Sequence, residues 1–462
     1  MNRTLDLGNA KNVHFIGIGG ISMSGLAEIT LRHGYRVSGS DNSDTAVAHL
    51  RQAGIEVMIP NAADNIKDDH DLVVYTAAIK PDNPEYMRAQ ALGIPMMERP
   101  LLLKAITRAY ERTLCVAGSH GKTTTSALLA SVVLEAGLDP TVHIGGRSIG
   151  DINNRIGDSS YFVLEACEYR NSFLHWHPFV GTILNVDADH NDFYNGMDGL
   201  IDSFVRFART IHPDGALVIH SEAQGLDKVI AGLDCRVIEY GMDKIQRRSG
   251  GMFFSPANIF YDTGGRASFD VMKDAEKLTR VDMPLVGAHN ILNALACFGV
   301  AEVLGIPAEA TKRGLEKSQG MKRRYEAKGN FNDVPIIDDY AHHPTEVRAC
   351  LAAARKSHSG RIICVFQPHL YSRTRDLLED FANSFTDADK ILLLPIYAAR
   401  EAHDPNISSR MLGERMSELS KDVECFENFN TIEHWLRKNL TDGDLLITMG
   451  AGNVHLAGEC LL

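Results

Sequence analysis

The chain has 462 residues, a length that favours about three domains of ordinary size. Hydrophobic residues make up 44% and charged residues 23%, which is typical of a globular protein, and the net charge of −12 argues against a nucleic-acid partner. No apolar run approaches the ~20 residues that cross a bilayer, no signal peptide is evident, and the eight cysteines are scattered, so we expect a cytoplasmic enzyme with reduced thiols.

Residues 1–108 begin with a βαβ pattern that is typical of nucleotide-binding domains. Strands are predicted at 13–16, 35–39 and 72–75, with a helix between the first two. The candidate residues that follow these strands are Gly17, Gly19, Gly20, Ser22, Asp41, Thr76, Ala77 and Ala78, the last three being part of the short segment 76–79. Because Ser22 replaces the third glycine of the dinucleotide fingerprint, two interpretations remain: a ligand with ribose and diphosphate groups, or a turn needed only for packing.

The most informative stretch follows a predicted strand at 114–117 and precedes a helix predicted over 126–136. It consists of Gly118, Ser119, His120, Gly121, Lys122, Thr123 and Thr124. The backbone N–H groups of such a turn and the helix N-terminus face phosphate oxygens, while the lysine reaches the β/γ phosphates and the first threonine reaches Mg²⁺. The glycine spacing is tighter than the standard phosphate-loop pattern, so a surface turn is the alternative.

Two further candidates follow later strands of residues 109–322, predicted at 161–164, 182–186 and 216–220. Glu165 comes at the end of the first, where a carboxylate can hold the Mg²⁺ of a nucleotide; a solvated loop acid is the alternative. His190 follows the second, where it is a ligand of a second Mg²⁺, orders substrate or is structural. A hairpin-rich stretch is predicted at 235–284.

A helix predicted over 289–304 begins with His289 and Asn293, which can pack against and hydrogen-bond a nucleotide base; helix capping by Asn290 is the alternative. Arg324 lies at the next domain junction, where it can meet a γ-phosphate when domains close or act only as a charged hinge residue.

Residues 323–462 again alternate strands and helices, with strands predicted at 335–338, 362–366, 390–394 and 445–448. Polar residues gather after two of these strands, and the candidates are Asp339, His343, Arg373 and Arg375. Arginines in such a position bind carboxylates with two parallel hydrogen bonds, so together the residues indicate a small acidic substrate.

The segments GSHGKTT, EACEY, NVDADH, GAHNILNA, RRYE, DDYAHHPTE and QPHLYSRTR occur in this order and resemble those of the Mur ligases over nearly the whole chain. The resemblance implies an α/β protein of three domains. These would be a Rossmann-like UDP-sugar domain at 1–108, a central P-loop-type ATPase domain with a mostly parallel sheet at 109–322, and a Rossmann-like amino-acid domain at 323–462.

Within that family, the last two segments are most similar to the alanine-adding branch. The resemblance therefore implies ATP-dependent joining of L-alanine to the lactyl carboxylate of UDP-N-acetylmuramate through an acyl phosphate, with Mg²⁺ as cofactor. This is an early cytoplasmic step of peptidoglycan synthesis, linked to cell shape and division. We expect the protein to bind no nucleic acid and not to insert into a membrane. We expect it to be a monomer or a weak homodimer.

The resemblance also implies roles for single residues. Lys122, Glu165, His190 and Arg324 would be catalytic, and the metal would be held by Thr123, Glu165 and His190. His289 and Asn293 would flank adenine, Arg324 and Asp339 would approach the nucleotide on closure, and His343, Arg373 and Arg375 would face the sugar substrate and the amino-acid carboxylate. Several Mur ligases use a carbamylated lysine near the metal, but this chain has no lysine between Lys122 and Lys228.

Three alternatives remain open at this stage. The first is a ligase of the same fold that joins a tripeptide to UDP-N-acetylmuramate, and needs a larger acceptor pocket. The second is an NAD-dependent oxidoreductase, which would leave Lys122 and Thr123 unexplained. The third is a nucleotide-binding scaffold without turnover, although the combined presence of Lys122, Thr123, Glu165, His190 and Arg324 argues against a decayed site.

Overall fold

The computed structural model describes residues 5–44, 46–146, 149, 154–187, 193–243, 248–399 and 401–462. In these ranges the strands form three sheets in which most neighbouring strands run parallel, with helices between them. The predicted α/β class with a mostly parallel central sheet is therefore confirmed. We call the parts of the chain built on these sheets the first, central and third domains; the exact boundaries at 108 and 322 stay a prediction.

The first domain carries an all-parallel sheet with the strand order β3-β2-β1-β4-β5 among its described residues. Its elements are β1 (Asn12–Ile16), α1 (Ile21–Arg32), β2 (Arg36–Ser40), α2 (Ala48–Gln52), β3 (Glu56–Met58), β4 (Leu72–Tyr75), α3 (Pro84–Ala91), β5 (Met96–Glu98) and α4 (Arg99–Arg108). The strand order reverses between β1 and β4, so the crevice that favours ligand binding opens at the carboxyl ends of these two strands.

The central domain has the largest sheet, with the order β14-β13-β12-β11-β10-β9-β6-β8-β7 in the part that is described. Its elements are β6 (Arg112–Ala117), α5 (Lys122–Glu135), β7 (Thr141–His143), β8 (Tyr161–Glu165), β9 (Val180–Ile183), α6 (Gly196–Ala208), β10 (Ala216–His220), α7 (Leu226–Ile230), β11 (Arg236–Tyr240), β12 (Met252–Tyr261), β13 (Arg266–Lys273), β14 (Glu276–Val286), α8 (His289–Leu304) and α9 (Ala308–Glu316). Since β6 lies between β8 and β9, the carboxyl ends of these three strands meet at one edge of the sheet.

The third domain has the described strand order β15-β16-β20-β17-β18-β19, in which only β15 pairs antiparallel. Its elements are β15 (Glu326–Phe331), β16 (Val334–Asp339), α10 (Pro344–Ser357), β17 (Ile362–Phe366), α11 (Tyr371–Asp376), α12 (Leu378–Ala382), β18 (Lys390–Leu393), α13 (Ser409–Glu418), β19 (Val423–Cys425), α14 (Phe429–Asn439), β20 (Leu445–Met449) and α15 (Leu456–Glu459).

Three local predictions differ from the structure. Helix α5 begins at Lys122 rather than at residue 126, because three consecutive threonines with low helix propensity hide its first turn. Strand β9 ends at Ile183, although the apolar pattern continues through the buried Leu184 and Val186. In the stretch predicted as hairpins, β11 pairs parallel with β10 and β12, so the true meander comprises only β12, β13 and β14.

The apolar core explains how the domains are joined. One continuous cluster includes Phe15 and Leu102 of the first domain together with Phe162 and Phe204 of the central domain. The third domain buries its own two clusters on the two faces of its sheet. Apolar packing therefore fixes the first domain on the central one more firmly than it fixes the third. No helix in the described ranges is long and apolar enough to span a membrane.

Candidate functional site

The loop after β6 has the backbone that a phosphate loop requires. Gly118 has φ = 139° and Gly121 has φ = 82°, both in the region that favours glycine. A Cβ atom on Gly118 would lie 3.0 Å from Cβ of Leu184, so the loop also approaches the neighbouring strand closely. Gly121 directly precedes α5, and the free N–H groups of that helix start point into the loop.

The segment after β9 clamps this loop in place. Asn185 accepts a hydrogen bond from the N–H of His120 at 2.8 Å and donates to its carbonyl at 3.1 Å. The hydroxyl of Ser119 donates to the carbonyl of Asp187 at 3.0 Å and accepts from its N–H at 2.9 Å. The polar residues after β9 thus position the loop, so the loop geometry does not depend on a ligand.

Lys122 is held by a buried carboxylate. Its Nζ atom lies 2.9 Å from Oε2 of Glu168, whose side chain is 1% exposed, and donates to the carbonyls of Gly118 and Ser119 at 2.6 and 2.9 Å. Burial alone would lower the pKa of Lys122, but the Glu168 carboxylate outweighs it and raises the pKa above its ordinary value. The ammonium group therefore stays charged within the loop that would receive phosphates.

Thr123 and Glu165 lie side by side, as the predicted metal site requires. The Thr123 hydroxyl donates to Oε1 of Glu165 at 2.8 Å, and the N–H of Gly145 donates to Oε2 at 2.8 Å. One hydroxyl and one carboxylate oxygen fit Mg²⁺, which takes its remaining ligands from phosphates and water. Among the described residues no group of three or more His, Cys, Asp or Glu forms a metal cluster, and the third candidate, His190, lies outside them.

A cavity of about 750 Å³ lies beside the loop, between the central and third domains. Its walls include four predicted residues, His289, Asn293, Arg324 and Asp339, together with His120, Gly121 and Thr124 of the loop. The volume and the mixture of apolar and polar walls are those of a nucleotide-sized ligand site. The structure thus brings the predicted base-binding and phosphate-binding residues to one cavity, while their binding roles stay predictions.

His289 and Asp339 are among the titratable side chains of this cavity that have shifted pKa values. Burial, helped by the charge of Arg324, lowers the pKa of His289 to about 4, so its ring is neutral and suited to packing against a base. Burial raises the pKa of Asp339 to about 6, although Arg324 and the N–H groups of Tyr325 and Ala341 oppose this shift. Shifted values in a cleft are typical of functional sites.

Asn290 does not cap α8. Its side-chain nitrogen donates to the carbonyl of Val286 at 2.8 Å, and its oxygen accepts from Asn293 at 3.0 Å. The capping alternative for this helix start is therefore wrong, because the side chain faces the preceding strand instead of the first helical turn.

The candidates of the first domain meet at the crevice between β1 and β4. The N–H of Gly19 donates to Oδ2 of Asp41 at 2.8 Å, so the carboxylate ties the glycine loop to the end of β2. Ile79, in the turn of residues 76–79, comes within 3.6 Å of where a Cβ on Gly17 would be. Ser22 bonds to two side chains outside this loop, His143 and Arg99. These contacts bring Gly17, Gly19 and Asp41 together at the carboxyl edge of the sheet, and the ligand of the predicted residues stays a prediction.

The candidates of the third domain do not form one group. His343 precedes α10, accepts a hydrogen bond from the N–H of Thr345 and packs its ring 4.6 Å from that of His120. Arg373 contacts His369 at 3.4 Å, whereas Arg375 donates to Asp404 at 2.6 Å on the exposed surface of α11. Of these candidates, His343 is in direct contact with the phosphate loop.

Two residues that the sequence analysis did not single out as site residues also lie at the domain junctions. Glu346, in the first turn of α10, contacts His120 and Arg324 across the central and third domains. Arg99, at the start of α4, reaches Ser22. The sequence contained a feature that could have identified both residues. Each is a charged residue in the first turn of a helix that follows a strand of a parallel sheet.

Comparison with known families gives a match over most of the chain. Residues 12–111 match the model described as Mur ligase family, catalytic domain; residues 116–301 match the Mur ligase middle domain; and residues 323–452 match the Mur ligase, glutamate ligase domain. The three matched stretches coincide with the three sheets.

Individual proteins are similar over the full length. The UDP-N-acetylmuramate–L-alanine ligase of Acetivibrio thermocellus is 44% identical over 461 residues, covering 99% of this chain and 97% of the relative. The crystal structure of the UDP-N-acetylmuramate–alanine ligase MurC from Thermotoga maritima superposes with a TM-score of 0.79 at 25% identity, covering 97% of this chain and 98% of that one. The MurF ligase of Thermotoga maritima, solved in complex with ADP, shares the fold, with a TM-score of 0.65 at 15% identity and coverage of 87% and 96%.

Proposed function

This chain belongs to the Mur ligase family, and from that premise we propose that it joins L-alanine to the lactyl carboxylate of UDP-N-acetylmuramate at the expense of ATP. The reaction is an early, cytoplasmic step of peptidoglycan synthesis, and so serves cell-wall growth, cell shape and division. The proposal is supported by full-length relatives at 44% identity with this activity in their names. This similarity favours the alanine-adding interpretation over the tripeptide ligase, the oxidoreductase and the inactive scaffold.

The structural observation that best supports the proposed function is the arrangement of side chains around the phosphate loop. Lys122 is charged and buried, Thr123 and Glu165 are adjacent, and Arg324 lines the same cavity from another domain. A carboxylate that attacks the γ-phosphate of ATP is an anion approaching an anion, and this requires positive charge that is fixed in advance. Mg²⁺, held by Thr123 and Glu165, would neutralise the charge of the phosphates.

In the proposed reaction, an oxygen of the lactyl carboxylate forms a bond to the γ-phosphorus, and the bond to the β-phosphate oxygen breaks, releasing ADP. The amine of L-alanine then attacks the acyl carbonyl; phosphate leaves, and the amine loses its protons to solvent or to a nearby base. Lys122 and Arg324 stabilise the negative charge on the phosphates during transfer. The contact between the third domain and the phosphate loop excludes water from the acyl phosphate.

A phosphate-release assay across substrates tests this function. We expect release from ATP only when UDP-N-acetylmuramate and L-alanine are both present, together with a product of matching mass. Replacement of L-alanine by a tripeptide should abolish release; efficient use of the tripeptide would establish the recycling ligase instead. Amide formation without consumption of ATP would contradict the proposal altogether.

A further inference from the structure

Arg99 connects the glycine loop of the first domain to the central domain. It begins α4 directly after β5, at the carboxyl edge of the first sheet. Its Nη1 atom donates to Oγ of Ser22 at 3.0 Å, and the same oxygen lies 2.9 Å from Nε2 of His143, the last residue of β7. A chain of three side chains therefore crosses the junction of the two domains.

In the part of the chain that the structure describes, no carboxylate balances the charge of Arg99. Among the described residues no Asp or Glu forms an ion pair with it, whereas Arg323 of the third domain, also partly buried, pairs with Asp338 at 3.0 Å. Burial lowers the pKa of Arg99.

A guanidinium that is partly buried without an anion costs stability, and such groups are typically retained for ligands. His143 cannot supply the missing charge, since burial and the nearby Arg99 lower its pKa to about 3 and its ring is neutral. The hydrogen bond from Arg99 to Ser22 fixes the direction of the guanidinium.

The position of Arg99 indicates the class of ligand that it binds. On one side of Arg99 lies Ser22, in the first turn of α1 next to the glycine loop. The same Ser22 oxygen meets His143 at the end of β7, and β7 pairs with β8, which ends at Glu165 of the predicted metal site. A group that bridges these two places belongs to a molecule that is bound in the first domain and reacts in the central domain, which in the proposed function is the nucleotide sugar.

We infer that Arg99, oriented by Ser22 and His143, binds an anionic group of the nucleotide sugar, either its diphosphate or its lactyl carboxylate. This inference rests on the proposed function. A guanidinium can donate two parallel hydrogen bonds to either group, so both sources share one recognition chemistry. Arg99 is thus a substrate-binding residue that places the sugar nucleotide across the junction between the first and central domains.

Calorimetric titration of the full-length protein tests the inference. The ligands are UDP-N-acetylmuramate, UDP-N-acetylglucosamine, which has the diphosphate but no lactyl carboxylate, and ATP with Mg²⁺. The variants are Arg99→Gln and Arg99→Lys. The matched control is Arg88→Gln, which removes one arginine of the same domain that pairs at the surface with Asp68.

We expect Arg99→Gln to weaken binding of UDP-N-acetylmuramate by about tenfold or more and to leave the affinity for ATP unchanged. Equal weakening for both UDP sugars identifies the diphosphate as the bound group, and weakening for UDP-N-acetylmuramate alone identifies the carboxylate. Arg99→Lys keeps the charge but loses the paired donors, so we expect an intermediate loss.

If both Arg99 variants bind both UDP sugars within twofold of the Arg88→Gln control, the inference is overturned while the proposed function stands. If the wild-type protein does not bind UDP-N-acetylmuramate, the proposed function fails and the inference fails with it. Should Arg99→Gln not fold, as judged by lost ATP binding, the Arg99→Lys titration decides by the same criteria.

Discussion

Oε1 of Glu346, in the third domain, lies 3.4 Å from Nδ1 of His120, in the phosphate loop of the central domain. The other ring nitrogen of His120 lies 3.4 Å from Oδ2 of Asp187, so the imidazole is placed between two carboxylates. Burial alone would lower the pKa of His120, but Asp187 and Glu346 raise it to about 9. A charged histidine therefore joins the loop to the domain that would deliver the amino acid.

Glu346 is in turn surrounded by cations. Nη1 of Arg324 lies 3.6 Å away and Nδ1 of His342 lies 3.3 Å away. Burial opposes ionisation of Glu346, but these cations and His120 outweigh it and hold its pKa well below the usual range. The apolar cores of the central and third domains are separate. The contacts of this polar cluster therefore exist only when the third domain is docked against the central one.

The first prediction concerns Glu346→Gln. The substitution keeps the shape of the side chain but leaves His120 and Arg324 without their shared carboxylate, so docking of the third domain weakens. We expect kcat/KM for ATP to fall by about tenfold or more in steady-state assays. The matched control is Glu433→Gln, which removes a carboxylate from a surface pair with Arg437 in the same domain and should leave kcat/KM unchanged. Equal behaviour of the two variants would rule out a role for the contact.

The second prediction concerns pH. The folded protein holds His120 at a pKa of about 9, above the ordinary value of 6.5, so its charge contributes stability fully below pH 6.5. This contribution declines as the pH rises and is lost above about 9. We expect the wild type to exceed Glu346→Gln in unfolding free energy at pH 6, on the order of 1–3 kcal/mol.

The difference between these two proteins should shrink steadily by pH 9.5. Chemical denaturation at a series of pH values measures it, with Glu433→Gln as the reference for nonspecific charge effects. A difference that stays constant from pH 6 to 9.5 would show that titration of His120 does not govern the contact.

The third prediction separates stability from chemistry at Lys122. Lys122→Ala removes the ammonium group that pairs with the buried carboxylate of Glu168, so we expect a loss of about 3–5 kcal/mol in unfolding free energy together with loss of activity. In Lys122→Ala/Glu168→Gln the buried negative charge is removed as well, and stability should largely return while activity stays absent. Thermal unfolding and phosphate release measure the two effects. Recovered activity in the double variant would remove Lys122 from phosphate binding.

The fourth prediction concerns the metal. Glu165→Ala removes the carboxylate that faces Thr123, so the Mg²⁺ concentration for half-maximal activity should rise by about tenfold or more. Glu135→Gln serves as the control, since Glu135 pairs with Arg313 and Lys317 on the other end of α5. A Mg²⁺ titration that is the same for both variants would exclude Glu165 as a ligand.

The sequence by itself determined the features whose cause is local. A glycine turn with Lys122 between an apolar strand and a helix specifies a phosphate loop, because left-handed backbone, free N–H groups and a lysine all lie within a few residues. The alternation of strand and helix patterns specified the α/β class. Polar residues after the strands specified the edge of each sheet at which the predicted site residues lie.

Only the tertiary structure decided which of these residues meet. His120 and Glu346 are distant in sequence, and nothing local indicates that the first turn of α10 lies against the phosphate loop. The same holds for Arg99: its partial burial, without a paired carboxylate in the described ranges, emerges only from the structure. Only the structure shows that Arg375 pairs with Asp404, and its predicted role in binding a carboxylate stays a prediction. The burial of a side chain, its ion-pair partners and its pKa all depend on which domains pack together. A residue pattern along the chain does not encode the distance in space between residues that are far apart in sequence.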